Sequence, residues 1–168
     1  MENFKSELGD INNLLYKIPL KQVMSSPVKT VFVDDDFSKV EETFINNNIH
    51  HLPVINQDRK IVGIISQKDV YRHISPRRSP DGEVFYRQDI ILDKDGYYEK
   101  ESLNKYITNV VMRKNPVVLT ENKTVGDAVH AMVSSQISCV PIVSDKKHVI
   151  GIITRVDVLK LIDNSFKI

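Results

Sequence analysis

The chain has 168 residues, 41% of them hydrophobic and 27% charged, which is the composition of an ordinary globular protein. Its 23 Lys and Arg against 22 Asp and Glu give a net charge of +1, without the basic excess typical of a DNA-binding protein. The single cysteine, Cys139, excludes an internal disulfide and a multi-cysteine metal site. With no run of about 18 apolar residues and no signal-peptide pattern, we expect a cytoplasmic protein that spans no membrane.

Helical spacing of apolar residues predicts an amphipathic lead-in helix that ends before Pro19. Residues 28–33 then predict a short strand. The acidic run 34–36 fits the N-terminus of a helix, where carboxylates meet the positive end of the helix dipole. The apolar face of that helix carries Phe37, Val40 and Phe44. Asn46–Asn48 should end it, so the first elements predicted are a strand and an amphipathic helix.

Two further strands and a second helix follow. In the strand at 49–55, Pro53 has no N–H to donate, so we expect it at the start of the strand or at a sheet edge. The apolar run 61–65 is typical of a strand buried on both faces. Ser66 then opens the second helix. Residues 23–75 therefore predict the order β-α-β-β-α.

Residues 76–106 repeat nothing else in the chain and predict an inserted linker. Its first part, which includes residues 77–78, has the composition of a solvated loop. Residues 84–92 predict a strand, and Tyr97 and Tyr98 can pair back on it as a hairpin. We expect this insertion to be an extra interface or a lid.

The second half of the chain repeats the β-α-β-β-α order. Gly151 lies 88 residues after Gly63 (151 − 63), and Asp157 lies the same distance after Asp69. The predicted strands are 117–119, 137–143 and 149–153. The predicted inner face of the helix between the first two consists of Val125, Ala128, Val129, Met132 and Val133. A repeat of this length predicts two similar units that bury each other's open faces.

Each half joins a Val-Met-x(2,3)-Pro start, a His-Leu-Pro-Val or Cys-Val-Pro-Ile strand, and a Gly-Ile-Ile-Ser-x-x-Asp or Gly-Ile-Ile-Thr-x-x-Asp junction. In this order the pattern resembles the CBS domain, named for cystathionine β-synthase, over residues 23–74 and 111–162. Two copies are similar to the tandem CBS pair called a Bateman module. The resemblance implies an α/β (α+β) fold in which two βαββα repeats pack with pseudo-twofold symmetry. The implied divisions are a lead-in (1–22), repeat 1 (23–75), an insertion (76–106) and repeat 2 (107–168).

The resemblance also implies a function. Tandem CBS pairs bind adenosine-containing ligands in two clefts and regulate an attached or partner protein. The ligands to consider are AMP, ADP, ATP, S-adenosylmethionine and cyclic di-AMP, acting as regulators and not as catalytic cofactors. No nucleophile with an adjacent base is evident, so we expect no enzymatic activity. The resemblance further implies that the chain forms a homodimer and that it regulates a separate partner protein in trans.

In the family, one cleft combines the Pro-containing strand of one repeat with the Ser/Thr-x-x-Asp of the other. By this resemblance, the first site consists of Ile49, His50, His51, Pro53, Thr154, Arg155 and Asp157. The second site consists of Val117, Ile137, Ser138, Pro141, Ser66, Lys68 and Asp69. An ionised Asp accepts two hydrogen bonds, which suits the vicinal hydroxyls of ribose. Arg155 and Lys68 can neutralise phosphate, and free N–H groups at the helix start favour anions.

Structural alternatives accompany these predictions. Ser/Thr-x-x-Asp at a helix start also matches a capping box, which only stabilises the helix. His50 and His51 point to opposite faces of a strand and cannot readily share an ion, so no metal site is expected. Cys139 is interpreted as a small buried residue and not as a nucleophile. The alternative function is a structural dimerisation scaffold with empty clefts.

Overall fold

The computed structural model describes residues 13–74, 77–78, 84–85 and 108–165, which fall into two compact units. The first-repeat unit is Lys29–Asn115, and the second-repeat unit combines Met1–Val28 with Pro116–Ile168. Each unit therefore contains one repeat together with a segment that precedes the other repeat in the chain.

The first-repeat unit confirms the predicted order of elements. Its elements are β1 (Val31–Phe32), α1 (Phe37–Asn47), β2 (His51–Ile55), β3 (Ile61–Ser66), α2 (Gln67–Ile74), β4 (Arg77–Arg78), β5 (Val84–Phe85), α3 (Thr108–Val111) and β6 (Arg113–Lys114). One sheet has the order β1-β2-β3-β6, with β1 parallel to β2 and the other pairs antiparallel. Strands β4 and β5 pair with each other.

The second-repeat unit has the same plan. Its elements are a 3₁₀ turn (Leu20–Gln22), β7 (Leu119–Thr120), α4 (Val125–Ser134), β8 (Cys139–Val143), β9 (Val149–Thr154) and α5 (Arg155–Ser165). The sheet order is β7-β8-β9. Ser25 and Ile152 exchange two backbone hydrogen bonds, at 2.9 and 3.1 Å, so Ser25 lies beside β9 as β6 lies beside β3. Of the predicted lead-in helix, residues 13–15 are helical and residues 8–12 lie outside the described part.

Helix α1 begins and ends at residues that suit helix termini. Asp36 caps its N-terminus by accepting a hydrogen bond from the Lys39 N–H at 2.9 Å, and this bond holds the pKa of Asp36 below its usual value. Asn48 ends the helix with φ 48° and ψ 48°, a left-handed conformation that Asn tolerates. The predicted apolar face is confirmed, since all three of its members are buried: Phe37, Val40 and Phe44.

Each unit has its own apolar core between its sheet and its helices. In the first-repeat unit the fully buried side chains include Phe44, Val40, Leu52, Val54 and Ile65. In the second-repeat unit they include Leu20, Val125, Val140, Ile142 and Ile153. The prediction that residues 61–65 are buried on both faces holds only in part, because Gly63 and Ile65 are buried but Val62 and Ile64 are partly buried. In β9 the three successive residues Gly151, Ile152 and Ile153 are all buried.

Pro53 lies inside β2, and the prediction that it lies at a strand start or a sheet edge is wrong. β2 runs between β1 and β3, and Pro53 is opposite Ile64 of β3. The short β1 pairs with residues 54–55, so no strand runs beside Pro53 on that side and its missing N–H costs no hydrogen bond there. Pro141 occupies the same position in β8, because β7 pairs with residues 142–143.

Three smaller predictions are also corrected. Val133 was predicted on the inner face of α4 but is 72% exposed, because it lies about 100° around the helix from the buried Met132. The strand predicted at 117–119 is Leu119–Thr120, where parallel pairing with β8 begins. Residues 77–78, predicted as loop, form β4 because they pair with β5. The rest of the predicted hairpin, with Tyr97 and Tyr98, lies outside the described residues.

The Val-Met start of each repeat has a packing role. Met112 packs on Gly63 of β3, and Met24 packs on Gly151 of β9, so closely that a Cβ built on either glycine would overlap the methionine Sδ. At Gly63 the same Cβ would also lie 3.1 Å from the carbonyl oxygen of Arg113. These two glycines therefore let the methionine segment approach the buried strand.

We expect Gly63→Ala to lower the free energy of unfolding by about 1–3 kcal/mol, since the added methyl group overpacks the contact with Met112. Urea unfolding measures the loss. The double variant Gly63→Ala/Met112→Ala is the control: with the methionine truncated, the added methyl should cost clearly less. The same cost with and without the Met112 side chain would contradict this account.

Candidate functional site

The candidate site is a hydroxyl–carboxylate pair at the junction of a buried strand and the helix that follows it. In the first-repeat unit, Asp69 Oδ2 accepts hydrogen bonds from Ser66 N and Oγ at 3.1 and 2.6 Å, and Asp69 N donates to Ser66 Oγ at 3.2 Å. In the second-repeat unit, Asp157 Oδ2 accepts from Thr154 N and Oγ1 at 2.8 and 2.7 Å, and Asp157 N donates to Thr154 Oγ1 at 3.3 Å. One oxygen of each carboxylate therefore caps its helix, as the structural alternative predicts.

The second carboxylate oxygen distinguishes the two copies. Asp69 Oδ1 accepts hydrogen bonds from Nε and Nη2 of Arg113 at 3.2 and 3.0 Å. Asp157 Oδ1 has no hydrogen-bond partner among the residues that the structure describes. Because an ionised carboxylate offers about four acceptor positions, Asp69 uses all of them and Asp157 uses half.

Arg113 is a site residue that the sequence prediction missed. Its side chain is 54% exposed and contacts Asp69, whose side chain is 11% exposed. Burial raises the pKa of Asp69, but the hydrogen bonds from Ser66 and the charge of Arg113 outweigh burial, and the pKa lies below its usual value. A signal was present in the sequence: the 88-residue spacing aligns Arg113 with Ser25 (113 − 25), which marks a difference between the copies.

Two of the first three N–H groups of α2 and of α5 are occupied, so of the N–H groups predicted to be free for an anion only one remains at each helix. Gln67 N donates to the carbonyl of His50 at 3.1 Å, and Arg155 N donates to the carbonyl of Ser138 at 3.0 Å. The third N–H of each helix donates to the capping hydroxyl. Within the described part of the chain, the second N–H of each first turn is left without a partner.

The residue after each capping hydroxyl contacts the segment that immediately precedes the Pro-containing strand of the same repeat. Gln67 Oε1 lies 2.6 Å from His50 Nδ1. The guanidinium of Arg155 donates from Nε and Nη2 to the carbonyl of Ile137 at 3.3 and 3.1 Å. Arg155, predicted to neutralise phosphate, thus uses two of its donors within its own repeat and keeps the others available.

The predicted site residues differ in their contacts and in their exposure. Within the first-repeat unit the structure brings His50 and His51 beside Ser66, since His51 pairs with Ser66 in the sheet. The exposed members of the whole predicted set are His50, Lys68, Val117 and Arg155, the partly buried ones are Ile49, His51, Ser66, Asp69, Ile137, Ser138, Thr154 and Asp157, and the buried ones are Pro53 and Pro141. The combination of each pair with the strand of the other repeat stays a prediction.

The described residues form neither a reactive cysteine site nor a metal site. Cys139 is buried, as the sequence predicts, in the first position of β8. Across residues 13–74 and 108–165, no three His, Cys, Asp or Glu side chains are grouped so that they could hold a metal ion. Nor is any helix of this described part both long and apolar enough to cross a bilayer.

Two βαββα units, each with a hydroxyl–carboxylate pair after its glycine-containing strand, define a tandem-repeat protein of the CBS type. The family model of the CBS domain matches residues 20–76 and 107–164. The chain belongs to the CBS domain family.

The chain is similar to relatives over most of its length. Uncharacterized protein MJ1426 of Methanocaldococcus jannaschii is 31% identical over 151 residues, which cover 84% of this chain and 89% of the relative. The CBS domain pair of protein MJ0100, solved in complex with 5′-methylthioadenosine and S-adenosyl-L-methionine, has a TM-score of 0.66 and 24% identity, covering 88% of this chain and 97% of that one. CBSX2 in complex with AMP has a TM-score of 0.64 and 18% identity, covering 88% and 98%. At these identities the two structures show the shared fold.

Proposed function

We propose that this protein is a regulatory module that binds an adenosine-containing ligand and signals its occupancy to a partner protein in trans. The observation that carries the proposal is the carboxylate of Asp157. Thr154 fixes one of its oxygens, and the other has no partner in the described part of the chain. The two acceptor positions left on that oxygen match the two vicinal hydroxyls of a ribose.

The proposed roles follow from chemistry. Asp157 accepts the ribose hydroxyls, and the exposed guanidinium of Arg155 has donors left for a phosphate or a carboxylate of the ligand. Ile49 and Ile137, which lie two residues before the Pro-containing strands, are proposed to flank the adenine. The complexes of MJ0100 with S-adenosyl-L-methionine and of CBSX2 with AMP, which share this fold, support an adenosine ligand.

Isothermal titration calorimetry tests the proposal with AMP, ADP, ATP, S-adenosylmethionine and cyclic di-AMP, and GMP serves as a matched ligand with another base. We expect saturable heat with at least one adenosine ligand and a clearly weaker signal with GMP. The absence of any binding heat with all five adenosine ligands would contradict the proposed sensor function. The dimerisation scaffold would then be the remaining candidate.

We further propose that the chain forms a homodimer through α5 and α4. Val156 and Leu159 are 56% and 64% exposed and recur at helical spacing on α5. Val133 on α4 and Ile162 on α5 are also exposed, and the two helices are neighbours. Exposed apolar residues grouped in this way are typical of a surface that a partner covers.

A charge on this surface is expected to separate the dimer, since an aspartate there would lose its hydration on association. Leu159→Asp should give the monomer mass of 19.3 kDa in sedimentation equilibrium. Lys146→Asp, an exposed position in the turn between β8 and β9 of the same unit, is the control and should remain a dimer. A monomeric wild type, or a Leu159→Asp variant that stays dimeric, would contradict the proposed interface.

A further inference from the structure

The two copies of the hydroxyl–carboxylate pair differ in the residue that lies beside the buried strand. In the first-repeat unit this residue is Arg113, which pairs with Ile64 of β3. In the second-repeat unit it is Ser25, which pairs with Ile152 of β9. Met112 and Met24 precede them and pack on the equivalent glycines, so the two backbones approach their strands in the same way.

The side chain at this position determines whether the carboxylate is available. Arg113 places two donors on Asp69 Oδ1, at 3.2 and 3.0 Å, and Ser66 places two on Oδ2. Charge-assisted hydrogen bonds of this kind are stronger than those from neutral hydroxyls, so a ribose competes poorly for an oxygen that a guanidinium already holds. Among the described residues, no side chain makes the corresponding contact with Asp157.

We propose that Arg113 occupies the acceptor positions of Asp69 and thereby limits the protein to one adenosine ligand per chain, bound through Asp157. The inference rests on the proposed function and deepens it, because it assigns the binding to one of two similar carboxylates. Arg113 is thus a residue that determines stoichiometry and not a contact of the bound ligand. Replacing it with the serine of the other copy should make Asp69 available.

Calorimetric titration with AMP and, separately, with S-adenosylmethionine tests this inference. We expect one ligand per chain for the wild type and two for Arg113→Ser. Arg113→Met, which keeps an apolar stem but has no donors, should also bind two ligands. This second variant keeps the test valid if Arg113→Ser folds poorly. Lys114→Ser removes the same charge from the next residue of β6 and should still bind one.

The outcomes separate the inference from the proposed function. Two ligands on the wild type would overturn the inference and leave the sensor function standing. One ligand on both Arg113 variants, or weaker binding by both, would show that Arg113 does not occlude Asp69 and would also overturn it. No binding of either ligand by the wild type would overturn the inference for these two ligands, and the proposed function would fall as well only if ADP, ATP and cyclic di-AMP also gave no binding.

Discussion

Asp157→Ala is expected to weaken the binding of AMP by about ten- to a hundredfold. The carboxylate is proposed to accept the ribose hydroxyls, and hydrogen bonds to a charged group contribute about 1.5–3 kcal/mol to an interaction. The variant also loses the capping bonds from Thr154 N and Oγ1, at 2.8 and 2.7 Å, so its stability must be measured alongside its affinity. Calorimetry gives the affinity, and urea unfolding gives the stability.

Asp127→Ala is the matched control for this variant. Asp127 forms the same kind of capping box at the start of α4, where its Oδ2 accepts from Thr124 N and Oγ1, both at 2.9 Å. Each alanine should cost about 0.5–2 kcal/mol of stability through the lost cap, but Asp127→Ala should leave the affinity for AMP unchanged. If both variants lost affinity equally, the loss would come from the caps and the ribose role of Asp157 would be wrong.

Phe44→Ala is expected to have the largest effect on stability, a loss of about 3–5 kcal/mol in the free energy of unfolding. Phe44 is 2% exposed and belongs to the core of the first-repeat unit with Leu52 and Ile65. Its removal leaves a cavity that those neighbours fill only in part. Since natural domains are stable by about 5–15 kcal/mol, this is a large fraction of the total.

Ile45→Ala provides the comparison, because Ile45 follows Phe44 on α1 but is 68% exposed. We expect a change within about 0.5 kcal/mol, as for surface substitutions away from special contacts. Urea unfolding of both variants measures the difference. Similar losses at the two positions would mean that α1 does not bury the face that Phe37, Val40 and Phe44 define.

Local features of the sequence predicted the fold well because they depend on neighbouring residues. Asp36 and Asn48 mark the two ends of α1 through their own backbone preferences, and the spacing of Phe37 and Phe44 indicates the buried face. The repeat was visible because the two copies align without an insertion or deletion between Met24 and Asp69. The order of elements follows from these features.

Features that depend on contacts between residues far apart in the chain could not be predicted from the sequence in this way. Pro53 is tolerated inside β2 because the short β1 begins to pair only at the next residue, Val54, and only the sheet register shows where β1 pairs. The contact of Arg113 with Asp69 joins residues that lie 44 positions apart in the chain. Its aligned counterpart Ser25 is visible in the sequence, but the donors that reach Asp69 are visible only in the structure.

The capping boxes of Asp69 and Asp157 show how one pattern can support both interpretations. The hydrogen bonds of Ser66 and Thr154 are those of a capping box, so the structural interpretation holds for one oxygen of each carboxylate. Under the proposed function, the other oxygen of Asp157 accepts hydrogen bonds from the ligand. Helix capping and ligand binding are therefore compatible roles for the same side chain.

The most direct test compares AMP with 2′-deoxyadenosine 5′-monophosphate, which lacks one of the two hydroxyls proposed to bind Asp157. Calorimetric dissociation constants of both ligands are measured on the wild type and on Asp157→Ala. We predict that the wild type binds AMP at least about tenfold more tightly than the deoxy ligand, and that the ratio approaches one in the variant. Equal affinities on the wild type, or an undiminished ratio in Asp157→Ala, would contradict the claim that this carboxylate binds the ribose.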